Sequence, residues 1–477
     1  MKNFHFTLPL VALFTLVSCG TRQESTTPAD NPSASETMFS PVEGDIHLIN
    51  LAPGHFHASL VQKTMYEGVD PVVHVYAPEG PELQDYLNRI ADYNTRAENP
   101  TSWKEQVYTG DDYLEKMLED KAGNVMVVSG NNAQKTEYIL KAAEAGINVL
   151  ADKPMVITPD KFPMLENAFR AANDQGVLIY DIMTERYEIT TILQKELSEI
   201  PEVFGQLQTG TLEEPAITKE SVHHFYKNVS GKPLIRPPWF FDVEQQGEGM
   251  VDVGTHLVDL VQWEAFPGVV LDKSDVEILT ARHWTTDLTR EEFRKVTGLD
   301  SYPGYLNKYL DEDLLKVMSN GEINYKLRGV HAKISVIWNF EAPEGTGDTH
   351  YSIMRGTGCN LVIRQGDEED YVPTLYIDAN EGTDMATFEM RLKEAVEGPL
   401  SAKFPGISLK WIAEGRWMLE IPDRYRVGHE AHFGQVTEKY LEYLHSGMLP
   451  DWEIPNMIVK YYTTTEGMKK AMQPPVE

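Results

Sequence analysis

Lys153 follows an apolar run, Ile147 to Ala151, and precedes Pro154. The run reads as a buried strand of a parallel sheet. The proline stops the sheet ladder and keeps the preceding residue extended. An ammonium is thereby fixed at the carboxyl end of a strand, where open α/β sheets bind their ligands. There it can polarise a carbonyl or stabilise an alkoxide. An isolated Lys-Pro is more often a surface lysine, so a second group of residues matters. In Gln246 to Trp263, Asp252, His256, Asp259 and Trp263 fall at i, i+4, i+7 and i+11. They form a polar stripe on a helix whose other face carries Val253, Leu257, Leu260 and Val261. A carboxylate and an imidazole one turn apart can share a substrate hydroxyl, or the acid can orient the base. Alone, the same pattern fits a half-exposed helix with an Asp–His pair.

The elements that must position these groups read as a doubly wound α/β arrangement. Asp45–Leu51 is a strand, followed by Ala52-Pro-Gly-His-Phe-His-Ala58 and a helical pattern through Leu60, Val61 and Met65. Strand, glycine turn and helix is the context of a dinucleotide site. With Gly54 as the second glycine of G-x-G-x-x-G, Ala52 stands first and His57 third, so the fingerprint is degraded. Gly54 still allows close backbone approach, and the following helix N-terminus can meet a pyrophosphate. After a second strand, Pro71–Tyr76, Glu79 is the candidate for the ribose hydroxyls. Val107-Tyr108 suits a short strand, with Asp111 capping a helix over 112–119. Asn124–Ser129 is a buried strand ending in Gly130-Asn131-Asn132. Helices over 135–146 and 161–173 and a strand over 177–182 continue the alternation. Beyond Thr184-Glu-Arg-Tyr187 the character changes. A helix over 190–197 precedes an alternating strand, Val203–Thr211. His223–Lys227 to Trp239–Asp242 is dense in aromatic and basic side chains, which suit sugar faces; a packed loop is the equal alternative. Arg186, Tyr187, His223 and Trp239 are the candidate substrate contacts.

The N-terminus carries Lys2 and an apolar run, Phe4 to Val17, too short to span a membrane and of secretory character. It ends in Leu16-Val17-Ser18-Cys19-Gly20, which resembles a bacterial lipobox. Residues 1–18 are then a signal peptide and Cys19 the lipid-attachment site. Residues 19–44, rich in Ser, Thr, Pro and Ala, are expected to be a disordered tether. Anchoring would be through acyl chains alone, on the periplasmic side. Lys+Arg of 42 against Asp+Glu of 73 gives a net charge of −31. Such a chain repels nucleic acid and anionic lipid. Cys359 is the only other cysteine, no zinc spacing is visible and no metal is expected.

Two motifs in order carry a resemblance. Ala142-Ala-Glu-Ala-Gly-Ile-Asn-Val-Leu-Ala-Asp-Lys-Pro-Met155 resembles A-x-x-A-G-x-x-V-x-x-E-K-P of the glucose–fructose oxidoreductase / inositol dehydrogenase / MocA family, with Asp152 for the usual Glu. Gly247-Glu-Gly-Met-Val-Asp-Val-Gly-Thr-His-Leu-Val-Asp259 is similar to its G-G-G-x-x-x-D-x-G-x-H-x-x-D. Gln134-Lys135 stands where many members have a histidine. The resemblance implies a Rossmann domain over 45–184. It also implies an α+β domain over 185–477 with an open, mostly antiparallel sheet, often used in homo-oligomers. It implies NAD or NADP, held by Gly54, His55, Phe56, Glu79, Asn131, Asp152, Lys153 and Pro154. It makes Lys153, Asp252 and His256 catalytic toward a CH–OH group of a carbohydrate. The strands expected in the second domain lie at 275–282, 331–340, 350–355, 360–365 and 374–377. A helical insertion is expected at 287–316 and closing helices at 429–444 and 456–472. Since a periplasm offers little free nicotinamide, a redox-neutral, glycoside-cleaving or epimerising reaction with retained cofactor is one alternative. A non-catalytic sugar-binding lipoprotein on the same scaffold is another.

Overall fold

The computed structural model describes residues 36–229 and 232–474. The expected signal peptide, Cys19 and most of the tether lie outside these residues. Among the described residues, no helix is long and apolar enough to cross a membrane.

Six short strands form a wholly parallel sheet, in the order Lys104–Thr109, Val72–Ala77, Leu48–Leu51, Val125–Val128, Asn148–Ala151, Ile179–Asp181. The central strands are buried along their whole length, which explains their unbroken apolar sequence. Strand order reverses between Leu48–Leu51 and Val125–Val128, so the loops after these strands diverge and open a crevice at the sheet's carboxyl edge. The helices Pro81–Thr95, Lys135–Glu144 and Phe162–Gln175 follow the expected alternation. The helix after Gly54 does not: it is a single turn, His57–Leu60. The helix near 112–119 spans Tyr113–Asp120 with Asp112, not Asp111, at its N-cap and no side-chain cap.

The second sheet is mixed and mostly antiparallel. Its order is Val276–Leu288, Leu314–Leu327, Val330–Glu341, Ile217–Tyr226, Thr349–Arg355, Cys359–Arg364, Thr374–Ala379, Arg416–Glu420, Ser408–Ala413. One pair, Val330–Glu341 with Ile217–Tyr226, is parallel. Three expectations fail here. His223–Tyr226 is the end of a central strand, not a loop. Val203–Thr211 is turn, not strand: Gly205 and Gly210 take φ of +75° and +67°, which a ladder does not accommodate. The 287–316 insertion is helical only over Arg290–Thr297. There Thr289 and Glu292 make a capping box and Gly298 ends the helix in the left-handed region. From Leu314 the chain is already in a long strand.

The helix Val253–Ala265 packs on the second sheet, buried on nearly every side. The closing helix His429–Ser446 returns to the first sheet, while Glu453–Ala471 lies between the two sheets, with Val459 and Met468 in the core of the second. Phe433, Val436, Tyr440, Leu444, Met457 and Tyr461 are part of the first sheet's core. The tether expectation is corrected at its end. Glu36–Met38 pairs antiparallel with Met448–Pro450, and Ser40 and Val42 donate backbone hydrogen bonds to Gly176 and Leu444. The edge offered by 448–450 takes up this segment despite its polar composition.

Candidate active site

Asp152 still donates its N–H to Val128 O at 2.9 Å, so the sheet ladder reaches the residue before Lys153. The Lys153–Pro154 peptide is cis, and Pro154 is buried behind the lysine. Lys153 Nζ donates to Asp252 Oδ1 at 2.5 Å. Asp252 occupies the N-cap of Val253–Ala265, yet its carboxylate does not cap the helix. Its second oxygen accepts from Gln246 Nε2 at 3.1 Å. The helix N-terminus still favours the negative charge. The glycine turn ahead of the helix makes this placement possible. A Cβ on Gly249 would lie 1.7 Å from Ser319 O, and Gly247 has φ +92°.

His256 lies one turn further, 9% exposed, and its Nδ1 has no hydrogen-bond partner. Asp252 does not hold it, contrary to one expectation: its oxygens accept from Lys153 and Gln246 instead. Burial first, and Lys153 second, push its pKa well below the ordinary histidine value. It is therefore a neutral imidazole in water near pH 7.

A second cluster lies beside Lys153. Asp152 Oδ2 accepts from Ser129 Oγ at 2.8 Å, faces His57 Nδ1 at 3.0 Å and lies 3.8 Å from His55 Nδ1. Its Oδ1 is buried without a partner. Burial opposes the Asp152 charge, but His57, Lys135 and His55 hold the carboxyl well below its usual range. Lys135 is buried and donates to Asp152 O at 3.0 Å. Burial lowers its pKa to about 8.

These groups open on one cavity of about 910 Å³, lined by His55, Phe56, His57, Asp152, Lys153, Asp252 and His256 from the sheet edge and the helix. The second sheet supplies its opposite wall. Trp338 stacks between His223 (centroids 5.0 Å) and Phe225, and Arg236 sits 4.4 Å over Phe240. His223 Nδ1 meets Asp348 at 2.9 Å, and Lys227 pairs with the same carboxylate. Burial, then Glu188, raises the Glu185 carboxyl to about 7.

Several expected residues are elsewhere. Glu79 is exposed and does not line the cavity. Trp239 is buried with its ring beside Gly54, and neither residue lines the cavity. Asn131 Nδ2 is bonded to Gln245 Oε1 at 2.6 Å. Arg186 is drawn into a buried network with Asp259 and Glu453, and with Tyr187 it lines a smaller cavity of about 330 Å³. Conversely, His57, Glu185, Trp338 and Asp348 line the main cavity unanticipated. Only the His-x-His spacing of His55 and His57 was visible in the sequence. The others depend on how the two sheets face each other.

Residues 54–181 match the family model "Oxidoreductase family, NAD-binding Rossmann fold". Residues 193–472, more than half of the chain, match "Putative oxidoreductase C terminal domain". The chain belongs to the glucose–fructose oxidoreductase / inositol dehydrogenase / MocA oxidoreductases. A crystal structure of a family protein from Parabacteroides merdae ATCC 43184 is 56% identical, with TM-score 0.88, covering 92% of this chain and 99% of that one. Levoglucosan dehydrogenase, solved with NADH and levoglucosan, shares the fold at 12% identity and TM-score 0.55, covering 89% of this chain and 97% of its own. So does a 3-ketoreductase from Actinomadura kijaniata solved with NADP, at 12% identity and TM-score 0.52, covering 87% and 95%. The search of curated proteins gave no match.

The cofactor class of this oxidoreductase family is NAD(P). The residues fit its nicotinamide end: Gly130, Asn132, Asp152 and Lys153 line the cavity at the ends of two adjacent strands. The pyrophosphate turn is altered. Gly54 and His55 both donate their N–H groups to Ser129 O, at 3.1 and 3.3 Å. The one-turn helix behind them offers no extended dipole.

Proposed function

We propose that this protein is an NAD(P)-dependent oxidoreductase acting on a CH–OH group of a sugar or sugar derivative. The observation that carries the reading is the Lys153–Asp252 pair at 2.5 Å, set beside the buried, unpartnered His256 imidazole in one cavity. Bound NAD(P) supplies a nicotinamide carbon that accepts or returns a hydride. The neutral His256 takes the hydroxyl proton as the carbinol becomes a carbonyl. Lys153 stabilises the negative charge that develops on that oxygen, and Asp252 keeps the ammonium in place. The His223–Asp348 pair on the opposite wall offers hydroxyl partners to a sugar. Replacing Lys153 with Met tests the scheme. Turnover of sugar substrates should collapse while the circular dichroism spectrum stays that of the wild type; undiminished turnover sinks it.

One observation favours the redox-neutral variant of this reading. Asn131 and Asn132 bond across to Gln245 and Gln246, and Trp239 covers Gly54. This clasp would slow release of a bound dinucleotide. Purification without added nucleotide, denaturation and mass analysis of the supernatant should recover NAD or NADP in near-equal amount to protein. Recovery of none would remove the support for a retained cofactor. The same proposal includes lipid attachment at Cys19 on the periplasmic side; a Cys19→Ser variant should leave the membrane fraction.

A further inference from the structure

We propose that His55, His57 and Asp152 form a binding site for a divalent first-row transition-metal ion, with open positions facing the cavity. One ligand atom from each of the three side chains lies within 4.8 Å of the others. Two of the separations are 3.0 and 3.8 Å. The His57 backbone N–H donates to His55 Nδ1 at 3.4 Å, a long contact that ring rotation would release. Ligands about 2.0–2.2 Å from a common ion stand roughly 3–3.5 Å apart, so small rotations of the rings complete the set. Two histidines and one carboxylate are a donor set for zinc, iron or manganese that leaves positions open for oxygen ligands.

A second observation points the same way. Asp152 is 4% exposed and its Oδ1 is buried with no partner. A buried carboxylate oxygen normally accepts a hydrogen bond or binds a cation. Asp152 is also held from behind: Ser129 Oγ donates to Oδ2, and Lys135 donates to the Asp152 carbonyl. His57 is packed by Phe433 and His429, with ring centroids at 4.6 and 5.4 Å.

The location gives the ion a task. His55 and His57 occupy the turn that meets the pyrophosphate in chains with an intact glycine fingerprint, and here the turn's N–H groups of Gly54 and His55 are already bonded. A cation at this point restores positive charge where an anionic or hydroxyl oxygen of the bound ligand would lie. The inference does not depend on the hydride-transfer reading, because it concerns occupancy of the protein alone.

The test uses the full folded chain, stripped with chelator and dialysed. Titration with Zn²⁺ and with Mn²⁺ in a calorimeter should show one ion per chain for at least one of them. His55→Ala and His57→Ala should each weaken that binding roughly tenfold or more. His47→Ala, at an exposed histidine outside the cavity, should leave it unchanged. X-ray absorption of the unmutated, zinc-loaded protein should show imidazole scattering with nitrogen and oxygen at about 2.0–2.2 Å. It reports directly even if a variant misfolds. Absence of saturable binding, binding that survives both histidine changes, or a spectrum without imidazole overturns the site.

Discussion

At the scale of single residues the proposed hydride-transfer scheme rests on Lys153, Asp252 and His256, while the N–H groups of the turn at Gly54 and His55 are already bonded. In that scheme His256 is the group whose state decides activity. Burial keeps its pKa well below the ordinary value of 6.5, so it remains an unprotonated base down to mildly acidic pH. As pH falls through the lowered value the base is protonated and turnover is lost; above it, turnover is held. The acid limb of kcat/KM should therefore fall below pH 6.5, and His256→Asn should reduce turnover by about 10² to 10⁴. A limb at or above pH 6.5 would mean that the imidazole is solvated in the working enzyme. That Lys153, Asp252 and His256 line one cavity was legible in the sequence, because strand-end placement and helical spacing fix each of them locally. Asp348 and Trp338 were not, because they reach the cavity only through pairing in the second sheet. Arg186 misled for the opposite reason: an arginine after a strand looks available, and here Asp259 and Glu453 take both ends of its guanidinium.

At the scale of elements, the glycine turn before Val253–Ala265 is the part that sets the site. It presses against the Leu314–Leu327 strand so closely that a Cβ at Gly249 would meet Ser319 O at 1.7 Å. Backbone cannot yield as a flexible side chain does. Gly249→Ala should cost about 1–3 kcal/mol in urea unfolding and shift Asp252 off Lys153, lowering turnover as well. Gly304→Ala, where a Cβ meets nothing within 4 Å, should change neither by much. Equal effects of the two changes would show that the close approach is not what places Asp252. The first sheet was readable because its central strands are buried along their whole length and give unbroken apolar runs. The long Leu314–Leu327 strand was missed because its sequence, with Lys316, Asn320, Glu322 and Asn324, carries polar residues along a partly buried face. The extent of helix at 287–316 was overread for the same reason: charged residues at helical spacing continue past the point where Gly298 ends the helix.

At the scale of the whole molecule, the two sheets are joined by buried charge as well as by apolar packing. Lys460, on the last helix and fully buried, reaches Asp181 at the end of the first sheet at 2.7 Å and Asp259 on the site's helix at 2.8 Å. Arg186 bonds both Asp259 oxygens and bridges to Glu453, so four elements meet in one network. Burial opposes the Asp259 charge, but Arg186 and Lys460 hold its carboxyl well below the usual range, so the pairing outweighs desolvation at this member. Removing one partner leaves the other charges buried and uncompensated, a change that costs about 3–5 kcal/mol. Lys460→Met should lower stability by that amount and, by loosening the helix that carries His256, reduce turnover in the surviving folded fraction. Lys326→Ala, which breaks the exposed pair with Glu277, should stay within about 1 kcal/mol of wild type. The comparison isolates the network from charge in general. If both variants unfold at the same urea concentration, apolar packing alone joins the sheets. If Lys460→Met is less stable while the folded fraction keeps full turnover, the network stabilises the fold without setting the position of the site's helix.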